Sequence, residues 1–140
     1  MALAGRKPKP AGQSVTRHKP THEWTEVEDV PFEGGPGLPD ARSDGRPWPV
    51  RTREKWAAWS SMPHCKLWGP AEWDFALDSI EIAALVHSGE PRHATELRNR
   101  ERVLGTTGDF RRDLRIRYVE PAADVSDAPN VTSMDDYRSL

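Results

Sequence analysis

Residues 48–89 read WPVRTREKWAAWSSMPHCKLWGPAEWDFALDSIEIAALVHSG and carry the strongest helical pattern of this 140-residue chain. Proline is tolerated at the first position of a helix, and glycine commonly follows the last one. The pattern therefore predicts a long helix over residues 70–88, ending at Gly89. A shorter helix is predicted over residues 51–61 and is terminated by Pro63.

The C-terminal side of this stretch predicts further short elements. A third helix is expected from Pro91 to Gly105, after which Thr106 or Thr107 caps a fourth element. The end of that element, residues 114–119, alternates apolar and charged side chains, so a short strand is as compatible with it as a helix. We expect an all-α fold: a small helical domain of three to four helices with disordered or extended N- and C-terminal segments.

Composition divides the chain into three parts. Eight of the 13 prolines and six of the 10 glycines fall within the first 50 residues. A segment of this kind has too little apolar surface to offset the entropy lost on ordering. Residues 1–47 are therefore predicted to form a flexible arm, first basic and then acidic. Residues 48–119 are predicted to form a helical oligomerisation core, and residues 120–140 an acidic flexible tail.

Several classes of protein are excluded by the same composition. No apolar run reaches the roughly 20 residues of a membrane span. A single cysteine, Cys65, excludes an internal disulfide and a cysteine-rich zinc site. The adjacent His64 and Cys65 are poorly placed to act as a nucleophile pair, and with His87 and His93 they match no zinc-ligand spacing. We expect a cytosolic protein without metal, cofactor or catalytic residues.

The long predicted helix has two apolar faces. Phe75, Ile82 and Val86 lie nearly opposite the face that carries Trp73 and Ile80 on a helical wheel. Two apolar faces need two partners, so the second either packs within the monomer or meets another subunit. The residues predicted to form an oligomer interface are Phe75, Ile82, Val86, Leu97 and Leu104.

Six tryptophans are present, and four of them fall between residues 56 and 73. Large aromatic rings can build a small hydrophobic core or can stack on the bases of single-stranded nucleic acid. We favour the core, because no aromatic pattern of a known RNA-binding sheet accompanies them.

Basic charge is concentrated in two regions. Residues 1–20 carry five basic side chains and no acidic one: Arg6, Lys7, Lys9, Arg17 and Lys19. Arms rich in Arg, Lys and Pro can lie along phosphates or in a minor groove. The long predicted helix also carries an acidic stripe, formed by Asp74, Asp78 and Glu81. In the third predicted helix, Arg98 and Arg102 could pair with this stripe or could face a polyanion.

Three motifs give the chain a family resemblance. Residues 48–59 follow the pattern WP-x-x-T-x-x-x-W-x-x-W, Trp73 lies near the start of the long helix, and residues 96–107 carry ELR-x-R-E followed by an apolar pair, Gly and Thr. In these motifs the chain resembles the small terminase subunits of tailed phages, particularly those that infect actinobacteria.

The resemblance implies a non-catalytic role in packaging viral DNA within the host cytoplasm. Members form homo-oligomeric rings, bind double-stranded viral DNA at the packaging site, and recruit and regulate the large terminase subunit, which holds the ATPase and nuclease. Many use a helix-turn-helix, but about eight residues separate the first two predicted helices, too many for its short turn. DNA contact is therefore expected from the N-terminal basic residues and from Arg51, Arg53 and Lys55. The alternatives are a small dimeric DNA-binding regulator and a structural head or connector component.

Overall fold

The computed structural model describes residues 23–122, in which four α-helices lie in sequence between two short β-strands. In chain order the elements are β1 (Thr25–Glu28), α1 (Val50–Ser60), α2 (Pro70–His87), α3 (Ala94–Leu104), α4 (Gly108–Asp113) and β2 (Ile116–Val119). Short 3₁₀ helices at Pro63–Leu67 and Pro91–His93 precede α2 and α3. The predicted helical character is confirmed. The outer parts of the two predicted flexible ends, residues 1–22 and 123–140, lie outside the described residues.

The longest helix, α2, begins and ends almost where its sequence predicts. Its first residue is Pro70, and the Glu72 carboxylate accepts a hydrogen bond from the Gly69 N–H at 2.9 Å. This contact satisfies a backbone group that the helix itself leaves unpaired. After the last residue, His87, the chain turns at Gly89 with φ +92°, a conformation that glycine adopts without steric cost.

A cluster of buried aromatic and small residues forms the core. Trp48, Trp56 and Trp59 are each at most 5% exposed, and they pack against α2 residues that include Ala76 and Ile80. Small alanines on α2 let the bulky indole rings approach the helix closely. The structure therefore places these three tryptophans in the core, as the favoured interpretation expects.

Residues 23–47 lie along the helices, which differs from the flexible arm expected there. The carbonyls of Pro36 and Pro39 accept hydrogen bonds from the indole N–H groups of Trp56 and Trp48, at 3.0 and 2.8 Å. At Gly35, a Cβ atom would lie only 2.9 Å from the Trp73 ring. The segment owes its order to core side chains that bind its backbone, a cause that composition alone does not reveal.

The two strands correct the all-α prediction. β1 and β2 form a parallel pair in which Thr25 lies beside Ile116 and Val27 beside Tyr118. Of the two alternatives for the alternating residues 114–119, strand or helix, the structure shows a strand, at Ile116–Val119. α4 is correspondingly short, and Arg115, with φ +58°, turns the chain between α4 and β2. The extended chain can be a strand because β1 supplies its backbone hydrogen-bond partners.

Candidate nucleic-acid interface

The three basic residues predicted on α1 do not form one patch. The buried side of α1 is formed by Thr52, Trp56 and Trp59, and Arg51 and Arg53 project from opposite flanks of it. Arg53 donates to the Trp48 carbonyl at 3.3 Å and so borders the N-terminal segment.

Lys55, on the same flank as Arg51, is already paired. Its ammonium lies 2.7 Å from the Glu101 carboxylate of α3 and 5.4 Å from the centre of the Trp59 ring. Both side chains of the ion pair are less than one-fifth exposed. Lys55 therefore joins α1 to α3 and neutralises Glu101. The other predicted DNA-contacting residues, Arg6, Lys7, Lys9, Arg17 and Lys19, lie outside the described residues.

One side of α3 faces the core and the other faces solvent. Leu97 and Leu104 are 8% and 3% exposed and belong to the core. The opposite side consists of exposed polar residues one helical turn apart, which we call the α3 outer face: Thr95, Arg98, Asn99 and Arg102. The sequence indicated that Arg98 and Arg102 could contact a polyanion, and both side chains are exposed in the structure.

Arg98 and Arg102 do not pair with the acidic stripe of α2. Within residues 23–122 neither guanidinium lies within ion-pair distance of a carboxylate. Glu81 of the stripe instead accepts from the Ser43 N–H at 2.9 Å and lies 4.0 Å from the buried Arg42 guanidinium. Arg102 rests over the Phe110 ring at 5.7 Å, which fixes the end of the α3 outer face against α4.

A second basic cluster lies on the outer side of the strand pair. The Arg115 and Arg117 guanidinium groups lie 5.5 and 5.2 Å from the centre of the Trp24 ring, and Arg117 pairs with Glu26 at 3.3 Å. Sequence reasoning missed this cluster because β1 was not predicted. The sequence did contain one signal for this cluster: the alternation of residues 114–119 puts both arginines on one side of a strand.

The residues predicted to form an oligomer interface are largely used within the chain. Phe75, Ile82 and Val86 are half-buried against the core, while Leu97 and Leu104 lie within it. This arrangement fits the alternative in which both faces of α2 pack inside one monomer. An apolar groove of about 190 Å³ remains open between the start of α2 and the end of α3. Phe75 lines it, and so does Val103, which is 61% exposed.

The histidine–cysteine pair has structural contacts. The Cys65 thiol donates to the Trp59 carbonyl at 3.1 Å, and burial raises its pKa to about 12, so the thiolate is scarce at neutral pH. The His64 ring contacts the Tyr118 hydroxyl and the Leu104 carbonyl. Across residues 23–122, no three His, Cys, Asp or Glu side chains are grouped to hold a metal ion.

Comparison with known proteins identifies a family. A family model described as phage terminase small subunit matches residues 4–140, almost the whole chain. No curated protein and no solved structure matches it. None of the helices in residues 23–122 combines the length and the apolar character that crossing a membrane requires.

Proposed function

The chain belongs to the phage terminase small-subunit family, and from that premise we propose that it binds viral DNA at the packaging site and recruits and regulates the large terminase subunit. The observation that carries the proposal is the family match over nearly the full length. In this proposal the protein acts by binding and assembly within the cytoplasm of the infected host. The ATPase and nuclease reactions belong to the large subunit.

DNA contact is assigned first to the basic N-terminal residues. Residues 1–20 combine five positive charges with no acid, the composition of an arm that follows phosphates. Arg51 is exposed on α1, and within residues 23–122 its only ion-pair partner is the exposed Glu54 at 3.4 Å, so it can exchange that weak contact for a phosphate. Arg53 is also exposed, on the opposite flank of α1.

The protein is proposed to act as a homo-oligomeric ring. A ring repeats each DNA-contacting surface and so turns weak individual contacts into useful total affinity. The open groove beside Phe75 is the apolar surface that a neighbouring copy would cover. The native mass of the full-length protein without DNA tests this: a closed oligomer larger than a tetramer is expected, and a monomer or dimer would contradict the ring.

The acidic C-terminal segment is the proposed contact for the large subunit. Residues 120–140 carry five acidic side chains and one basic one, and in the sequence they follow directly after β2. In co-expression with the large subunit, the full-length protein should co-purify with it. A variant lacking residues 120–140 should lose co-purification while keeping its affinity for duplex DNA.

A matched deletion serves as the control for this experiment. A variant lacking residues 1–20 removes a segment of similar length with the opposite charge, and it should still co-purify with the large subunit. Co-purification that survives removal of the tail would exclude the tail as the contact. If even the full-length protein fails to co-purify, the proposed recruitment of the large subunit is wrong.

A further inference from the structure

We propose that the α3 outer face is a duplex DNA-binding surface, with α3 lying along the major groove and Arg98 and Arg102 contacting phosphates. The inference rests on the proposed function and assigns to it a surface separate from the N-terminal residues. It also assigns Lys55 a positioning role in place of the direct phosphate contact expected from its sequence.

The shape of this surface suits a groove. α3 has 11 residues and is therefore about 16 Å long, and its core-facing side is anchored by Leu97 and Leu104. The exposed side carries two short polar residues beside the arginines: Asn99 lies between Arg98 and Arg102, and Thr95 lies one turn before them. Short side chains let the helix backbone approach the floor of the major groove, which is wide enough to admit an α-helix.

The charge of this surface is positive because the two acidic residues of α3, which lie outside the surface, are neutralised by other residues. Glu96 is paired with Arg100 at 2.9 Å, one turn away on the same helix, and Glu101 is paired with Lys55 at 2.7 Å. Arg98 lies three positions before Glu101 and would be its neighbour on the helix surface. Because Lys55 holds that carboxylate, Arg98 keeps its full charge toward solvent.

The spacing of the two arginines points to a polyanion as the partner. Arg98 and Arg102 are four positions apart, where like charges repel and disfavour the helix. The nearest aromatic contact, from Arg102 to Phe110, positions a guanidinium without neutralising it. A row of phosphates would relieve this repulsion, and guanidinium groups bind phosphate oxygens through paired hydrogen bonds.

The test measures how salt affects binding of the full-length protein to a labelled duplex of random sequence. Each phosphate contact contributes close to one unit to the slope of log affinity against log salt concentration. Arg98→Gln and Arg102→Gln should each reduce the slope by about 1, and the double variant by about 2. The matched control is Arg46→Gln, which removes an exposed arginine already paired with Asp44 at 2.7 Å and should leave the slope unchanged.

The role of Lys55 needs a separate pair of variants. Lys55→Met exposes the Glu101 charge next to Arg98 and should weaken DNA binding. Adding Glu101→Gln removes that charge and should restore both the affinity and the slope of the wild type. If Lys55 touched phosphate itself, the double variant would remain weak and its slope would stay about 1 lower, which would overturn the positioning role.

The outcomes separate this inference from the proposed function. If the wild type binds duplex DNA and both arginine variants match it in affinity and salt slope, the α3 outer face is excluded and DNA binding is assigned elsewhere. If the wild type itself shows no binding at low salt, the DNA-binding part of the proposed function fails as well. Circular dichroism of each variant confirms that it is folded.

Discussion

The side chain of His64, which is 1% exposed, joins three distant parts of the chain. Its Nε2 lies 2.7 Å from the Leu104 carbonyl. Because a carbonyl only accepts, Nε2 must carry the proton, and Nδ1 then accepts from the Tyr118 hydroxyl. The neutral ring thus links the chain before α2 with the end of α3 and with β2.

This arrangement predicts that the protein loses stability in mild acid. Burial lowers the pKa of His64 below its ordinary value of 6.5, so at pH values below about 6.5 the unfolded chain takes up a proton that the folded chain does not. The free energy of unfolding is therefore fully retained above that pH and falls as the pH drops below it. Thermal melting between pH 8 and about pH 5 measures the effect.

The variant His64→Gln identifies the residue responsible. It should be less stable at neutral pH by about 1 to 3 kcal/mol because buried hydrogen-bonding groups lose their partner, but its melting temperature should vary less with pH. Some dependence will remain from His87, whose pKa is lowered by burial and by nearby Lys55 and Arg51. An equally steep pH dependence in the variant would show that His64 is not the cause.

At the scale of elements, the groove between α2 and α3 is the part of the surface on which oligomerisation is predicted to depend. Val103 is exposed at its edge, so Val103→Glu adds a charge there without disturbing the core. We expect light scattering to show a smaller native mass for this variant with unchanged helicity. Val50→Glu is the control, because Val50 is 67% exposed at the start of α1, away from the groove. The native mass of this variant should match that of the wild type. A full-sized Val103→Glu oligomer would place the interface elsewhere.

Elements were predictable where local signals determine them. Pro70 and Gly89 mark the limits of α2 through their own backbone chemistry, and helical spacing shows which of its residues share a side. β1 was not predictable, because it holds only four residues and its partner strand lies about ninety positions away. Without β1, the alternation of residues 114–119 fits either a strand or a helix end.

For the candidate DNA-binding residues, too, local spacing was readable from the sequence and tertiary contacts were not. The sequence identified Arg98 and Arg102 as residues that could face a polyanion, because their helical spacing separates them from Leu97. It could not show that Lys55 is paired with Glu101, since that contact joins residues 46 positions apart. Whether a basic side chain is free or neutralised depends on tertiary packing, so spacing alone could not distinguish Lys55 from the exposed Arg51 and Arg53.

At the scale of the whole molecule, the N-terminal 47 residues divide into two parts with different roles. Residues 23–47 supply the carbonyls that bind two core indole groups and the ring of Phe32, which stacks on Trp73 at 6.1 Å. They also supply Val27, which is completely buried beside β2. Residues 1–20 carry the five basic side chains that we propose to contact DNA. The division predicts that two nested deletions have different effects.

Deletion of residues 1–20 should leave the melting temperature unchanged but reduce the salt slope of DNA binding by about 4 to 5, if all five basic residues meet phosphates. Deletion of residues 1–47 should instead expose the apolar surfaces around Trp48, Trp56 and Trp73, because their covering segment is gone. We expect this longer deletion to lower the melting temperature strongly and to weaken the near-ultraviolet circular dichroism of the tryptophans. If it melts like the wild type, residues 23–47 do not stabilise the core. If the shorter deletion keeps the full salt slope, the basic N-terminal residues do not contact DNA, and the slope must come from surfaces such as the α3 outer face.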